Sequence, residues 1–159
     1  MPQVVKDIMS SPPVTIGMDT TLAQVKEVFD RRRFHHLIVQ DDQGKCAGVL
    51  SDRDLLHTVS PFIGKLAERS ADVESLKKRA HQVMSRKLIA VREQTLLRAA
   101  ARVMLDYNIS CLPVVDHELR CVGIITIRDI VRWSIAQMSA EIDQALSQPG
   151  GTSAPRRAA

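Results

Sequence analysis

The sequence predicts a mixed fold of the α+β or α/β class. Two β-α-β-β-α repeats related by a pseudo-twofold axis pack through their sheets, with a helix between the repeats and a long helix at the C-terminal end. Three observations carry that expectation. A constant shift of 75 positions lays the chain on itself without a gap from Ile8/Val83 to Leu56/Val131. Helix-like and strand-like apolar spacing follow one another in the same order in both copies. The 159 residues are 45% apolar and 25% charged, ordinary for one compact domain or two small halves, so a hydrophobic core suffices without disulfide or metal staples.

The repeat sets how every later residue is read. Identical pairs include Met9/Met84, Ser10/Ser85, Thr20/Thr95, Leu22/Leu97, Leu37/Leu112, Cys46/Cys121, Gly48/Gly123, Arg53/Arg128 and Asp54/Asp129. Conservative pairs such as Val14/Ile89, Phe34/Ile109, Val49/Ile124 and Ser51/Thr126 fall between them.

In order along the first copy, Val14-Thr15-Ile16 is a short β-branched strand, and Thr20 is placed to cap a helix carrying Leu22, Val25, Val28 and Phe29 on one face. Leu37-Ile38-Val39 then turns through Asp41 to Gly44 into Ala47-Gly48-Val49-Leu50, a hairpin with a polar loop. The second copy repeats the stripe as Leu97, Ala100, Val103 and Met104, and the hairpin as Leu112 to Val115 and Val122 to Ile125. Ile38 stands where the second copy has Pro113, and is expected to loosen that strand edge in the first. Neither half buries both faces of a three-stranded sheet alone, so the halves pack together.

Residues 1–62 are read as the first repeat and 63–80 as a connecting helical segment marked by Leu66, Val73, Leu76 and Ala80. Residues 81–138 form the second repeat. From Asp129 a long helix carries Ile130, Trp133, Ile135, Met138, Ile142 and Leu146, more apolar surface than a solvated face needs, and a homodimer is expected through it. Residues 139–159 hold the end of that helix and a tail expected to be disordered.

Several functions drop out. The odd set Cys46, Cys111 and Cys121 has no C-x-x-C pair, which argues for a reducing, cytoplasmic setting. No signal sequence opens the chain and no apolar run reaches membrane-spanning length. Half of the +4 net charge sits in Arg156 and Arg157, and aromatics are only 3%, so nucleic acid is not an expected partner. Cys111, His117 and Cys121 fit no common zinc spacing, and no metal site is expected. A nucleophilic Cys111 lacks a specified base and oxyanion site, so no catalytic residue is assigned and the chain is not expected to be an enzyme.

The second hairpin strand of each copy ends in Gly-apolar-apolar-Ser/Thr-x-x-Asp, as Gly48 to Asp54 and Gly123 to Asp129. With the Met9-Ser10 and Met84-Ser85 pairs and the run Ile109 to Asp116, this resembles the tandem CBS domain, or Bateman module, over approximately residues 4 to 135. The resemblance implies a stand-alone CBS pair with two clefts that bind adenosine-containing ligands and report their level to an unidentified protein target. AMP, ADP or ATP is the expected class, with S-adenosylmethionine and NAD as further candidates; no obligatory cofactor is implied.

The motif itself suits such chemistry. A carboxylate accepts from both ribose hydroxyls, and a hydroxyl three residues earlier donates to phosphate, at a helix start that favours anions. Ser51 with Asp54, and Thr126 with Asp129, have that spacing. Carried over by position, the first cleft joins Ser51, Asp54, Arg53, His35 and His36 with Ile89 and Ile109. The second joins Thr126, Asp129, Arg128, Ser110 and Cys111 with Val14 and Phe34. His35-His36 replaces Ser110-Cys111, and histidine gains charge as pH falls. The first cleft is therefore expected to be the more phosphate-tolerant, and Asp54→Ala to weaken binding more than Asp129→Ala.

Bland readings stand beside these. Asp54 and Asp129 also suit helix capping, His35-His36 a structural role, and Arg31-Arg32-Arg33 a solvated helix end. A scaffold that dimerises through its final helix, with weak or empty clefts, is the alternative function.

Overall fold

The computed structural model describes residues 3–32 and 34–147, with side chains to Gln144; Arg33 and the expected tail lie outside them. The first half contains β1 (Thr15–Gly17), α1 (Leu22–Arg31), β2 (His36–Gln40), β3 (Cys46–Ser51) and α2 (Asp52–Thr58). The connector holds α3 (Ser70–Ser75), and α4 (Ala80–Val83) leads into the second half. The second half contains α5 (Leu97–Asp106), β4 (Cys111–Val115), β5 (Cys121–Thr126) and α6 (Ile127–Ser147). β1 pairs parallel to β2, while β2/β3 and β4/β5 are antiparallel hairpins. The duplicated mixed fold is therefore as the sequence indicates.

Three local expectations change. The cap of α1 is Thr21, whose hydroxyl accepts from Gln24 N–H at 3.3 Å while the Gln24 side chain accepts from Thr21 N–H at 3.0 Å. Thr20 is committed elsewhere, its carbonyl accepting from Ala80 N–H at 2.8 Å. The connector is not one continuous helix: turns that include Gly64 at φ +74 precede the short α3, and Leu66 is fully exposed.

The third change concerns Ile38 and Pro113. Ile38 N–H donates to the Val14 carbonyl at 3.3 Å, helping to hold β1 on β2. Proline has no N–H to offer at the matching position, and there the parallel strand shrinks to the single bridge Val91↔Val114. It is the second edge that proline loosens, not the first.

The segments leading into each half change sides. Val5 N–H donates to Thr95 O at 2.8 Å, and Ser10 and Ile124 exchange bonds at 2.9 and 3.0 Å. Correspondingly, Leu22 N–H donates to Lys78 O at 2.8 Å, and Ser85 and Val49 exchange bonds at 2.8 and 3.2 Å. Val5 is thus buried in the second core with Leu97, Leu112, Val114 and Ile125. Ala80 and Met84 are buried in the first core with Leu22, Leu37 and Leu50. A fully buried aliphatic side chain such as Val5 contributes about 1.5–3 kcal/mol, so each lead-in segment fastens the two halves. A third cluster of Ile38, Cys46 and Val115, with Val49, Cys121 and Ile124 against it, lies between the sheets.

Candidate functional site

Both Gly-apolar-apolar-Ser/Thr-x-x-Asp motifs form a strand end, a cap and a helix start. Asp54 Oδ2 accepts from Ser51 N–H at 2.8 Å and from Ser51 Oγ–H at 2.6 Å, and Asp54 N–H donates to Ser51 Oγ at 3.1 Å. Asp129 Oδ2 accepts from Thr126 N–H at 2.8 Å and Oγ1–H at 2.6 Å. The capping reading therefore holds for both aspartates, and each hydroxyl is turned onto its own helix. Asp129 Oδ1 has a looser partner, the exposed Arg132 guanidinium at 3.3 Å.

The two junctions face each other across one cavity of about 920 Å³. From the set read as a first cleft, Ser51, Arg53, His35, His36 and Ile109 line it; from the second set, Thr126, Arg128, Asp129, Ser110, Val14 and Phe34 do. Three of the sequence-assigned residues do not. Asp54 is drawn under Ser51 by the cap. Ile89 packs against the second core. Cys111 opens β4, a strand buried along its whole length, and burial, with the Asp54 carboxylate adding to it, pushes its thiol up to about 12. Such a thiol is no nucleophile near neutral pH.

The histidine pair divides its work. His35 Nδ1 lies 2.6 Å from Asp52 Oδ2, whereas His36 Nε2 reaches the other repeat, 3.0 Å from Ser110 Oγ. Burial holds the His36 imidazole below its ordinary value, with the Asp52 carboxylate opposing.

Sequence reasoning missed part of the wall. Ser10, Pro12 and Pro13 line it from the lead-in to β1, and Leu105 and Asn108 from the end of α5. Asn108, at φ +52, takes the left-handed conformation that ends a helix, a signal an asparagine three positions before a strand offers in sequence. Arg132 also lines the cavity, and its place one turn beyond Asp129 is legible from helical spacing.

Two capped strand-to-helix junctions facing each other across a shared cavity define a paired-repeat binding module. The CBS domain family model matches residues 5–61 and 80–136, and the chain belongs to that family as a tandem CBS pair. L-aspartate semialdehyde sulfurtransferase of Methanocaldococcus jannaschii is 32% identical over 129 residues, covering 81% of this chain but only 23% of that protein. Among solved structures, the CBS domain pair of protein MJ0100 in complex with 5′-methylthioadenosine and S-adenosyl-L-methionine has a TM-score of 0.71 at 28% identity, covering 86% of this chain and 99% of that one. CBSX2 in complex with AMP has a TM-score of 0.70 at 27% identity, covering 85% and 98%.

Proposed function

We propose that this chain is a non-catalytic regulatory module that binds an adenosine-containing ligand between its repeats and signals that occupancy to a protein partner. The observation that carries the reading is the cavity bounded by both capped junctions. The adenosine compounds held by MJ0100 and CBSX2 support it. In this reading the ribose hydroxyls donate to Asp129, whose Oδ1 exchanges its long bond to Arg132 for them, while Arg128 and Ser110 meet phosphate, joined by Thr126 once its hydroxyl turns away from Asp129 Oδ2. The adenine lies against Val14 and Phe34 and is read by backbone groups. Ser51, Arg53, His35 and His36 offer the matching half on the first side, with Asp54 behind them and Ile109 as its apolar wall. A ligand touching both repeats shifts their arrangement only through unequal affinity for two states, and a cavity built from both supplies that inequality.

A thermal-shift and calorimetric panel of AMP, ADP, ATP, S-adenosylmethionine and NAD tests the proposal. A ligand at 100 times its dissociation constant is expected to add about 2.7 kcal/mol of stability. No shift with any of the five at millimolar concentration overturns the reading.

A second reading, homodimerisation, rests on α6. Val131, Ile135, Met138 and Ile142 are exposed along it at alternating four- and three-residue spacing, the seam by which two helices pair. The occupant we propose is a second copy of the chain. Sedimentation is expected to show a dimer that Ile135→Lys with Met138→Lys converts to monomer; a monomeric wild type at high micromolar concentration rules the seam out.

A further inference from the structure

Cys46 and Cys121 occupy one position of the repeat, and the fold brings both copies of it together. Each opens the outer strand of its hairpin, β3 and β5. Just ahead of them the two strands meet across the pseudo-twofold, where Lys45 and Arg120 form an antiparallel bridge and Cys46 N–H donates to Leu119 O at 2.9 Å. With Lys45 opposite Arg120, the next residue on each strand projects to the other face, so Cys46 and Cys121 are diagonal neighbours on the same side. Both belong to the cluster between the sheets. Cys46 is buried and Cys121 is partly open to solvent, and both are free thiols.

We propose that Cys46 and Cys121 are a redox-modifiable dithiol whose oxidation joins the two repeats by an intramolecular disulfide. Cys121 Sγ–H donates to the Gly123 carbonyl at 3.1 Å, and the neighbouring Cys46 thiol is the leading influence that holds the Cys121 thiol below its ordinary value. Cys121, the more accessible and more readily ionised, is the attacking group, and Cys46 resolves. A hydroperoxide is the oxidant. The Cys121 thiolate attacks the peroxide oxygen, the O–O bond breaks, and with one proton taken up a sulfenic acid and water (or an alcohol) result. The Cys46 sulfur then attacks the sulfenic sulfur; the S–S bond forms as the S–O bond breaks, and the hydroxide leaves as water with the Cys46 proton. Two electrons pass from the two thiols to the peroxide.

The bond closes at the starts of β3 and β5, whose far ends carry Ser51 and Thr126 at the cavity. Diagonal antiparallel neighbours stand at about 7–8 Å between Cα atoms, at or beyond the long end of the disulfide range. Closure therefore draws the two hairpins together at their starts.

The folded chain is exposed to hydrogen peroxide, blocked with an alkylating agent, and analysed by intact mass and non-reducing peptide mapping. The expected product is a monomeric chain lighter by about 2 Da before alkylation, with Cys46 and Cys121 in one linked peptide pair, reversed by dithiothreitol. Cys111→Ser is expected to leave the product unchanged, and Cys46→Ala and Cys121→Ala each to abolish it. Should either alanine variant fail to fold, the wild-type map decides alone. Alkylation of both Cys46 and Cys121 after peroxide, conversion of Cys121 to sulfinic acid without a cross-link, or a disulfide through Cys111 or between chains overturns the proposal.

Discussion

At the two strand-to-helix junctions the backbone is the same and the side chains are not. Ser51 and Thr126 each place a hydroxyl 2.6 Å from the carboxylate three residues on. His35 O and Ser110 O each accept the first N–H of the following helix, from Asp52 at 3.1 Å and Ile127 at 2.9 Å. Around this shared frame the first repeat carries His35, His36 and Asp52, and the second Ser110, Cys111 and Ile127. The cap is required by the fold and is needed once per helix, so both copies keep it. A cavity shared between repeats needs each polar contact only once, so its lining is free to differ.

The sharpest way to strain that near-symmetry is at the paired glycines. A Cβ on Gly48 would stand 2.6 Å from the Ser85 carbonyl oxygen and 2.8 Å from Met84 Sδ. A Cβ on Gly123 would meet Met9 Sδ at 2.6 Å and the Ser10 carbonyl at 3.1 Å. A methionine end can swing away; a carbonyl bonded across to Val49 N–H cannot. Gly48→Ala is expected to cost about 3 kcal/mol and Gly123→Ala about 1 kcal/mol in urea unfolding. Equal or reversed midpoints would show that the two crossings are not anchored differently.

The next contrast separates capping from binding. Asp54→Ala and Asp129→Ala each remove half of a capping box, so similar stability losses of about 1 kcal/mol are expected. Only Asp129 lines the cavity. Removing it is expected to weaken adenosine-ligand binding by about 2 kcal/mol, roughly thirtyfold, as loss of a charged acceptor does, while Asp54→Ala stays within about threefold. Calorimetry on both variants checks this, and a larger loss at Asp54 restores the order that the sequence suggests.

The lining of the cavity, which includes Asp129 and not Asp54, marks where sequence stops being informative. The duplication, both hairpins and the helix stripes are legible because periodicity and paired identities are local or fixed by one shift. Thr20 and Thr21 are equally good caps on paper, and the choice falls to Thr21 because the Thr20 carbonyl is held by Ala80 at the far end of the connector. The exchange of Val5 for Ala80 between the cores is likewise a tertiary event. Asp54 and Asp129 are identical in motif, and which one reaches a cavity depends on the walls around it. Cys111 shows the same limit: beside Ser110 on the wall, it belongs to a strand with no open face.

The smallest expected effect concerns the residue by which one repeat touches the other. His36 faces Asp52 and Asp54 from α2, His35 from just ahead of its own strand, and Arg128 and Ser110 from the second repeat. Burial is the leading influence and lowers its pKa from 6.5; the two carboxylates oppose that, and His35 and Arg128 add to it. A histidine that protonates less readily when folded carries stability that is whole above its unfolded value of 6.5 and is lost as pH falls through the folded one. Below pH 6.5 the wild type is therefore expected to lose stability that His36→Gln does not lose, so its urea midpoint falls more steeply with acid. The matching position in the second repeat is silent in this window, because the Cys111 thiol titrates near 12, and Cys111→Ser should track the wild-type slope. Parallel slopes for wild type and His36→Gln would place the proton sensitivity elsewhere and remove the electrostatic difference between the two junctions.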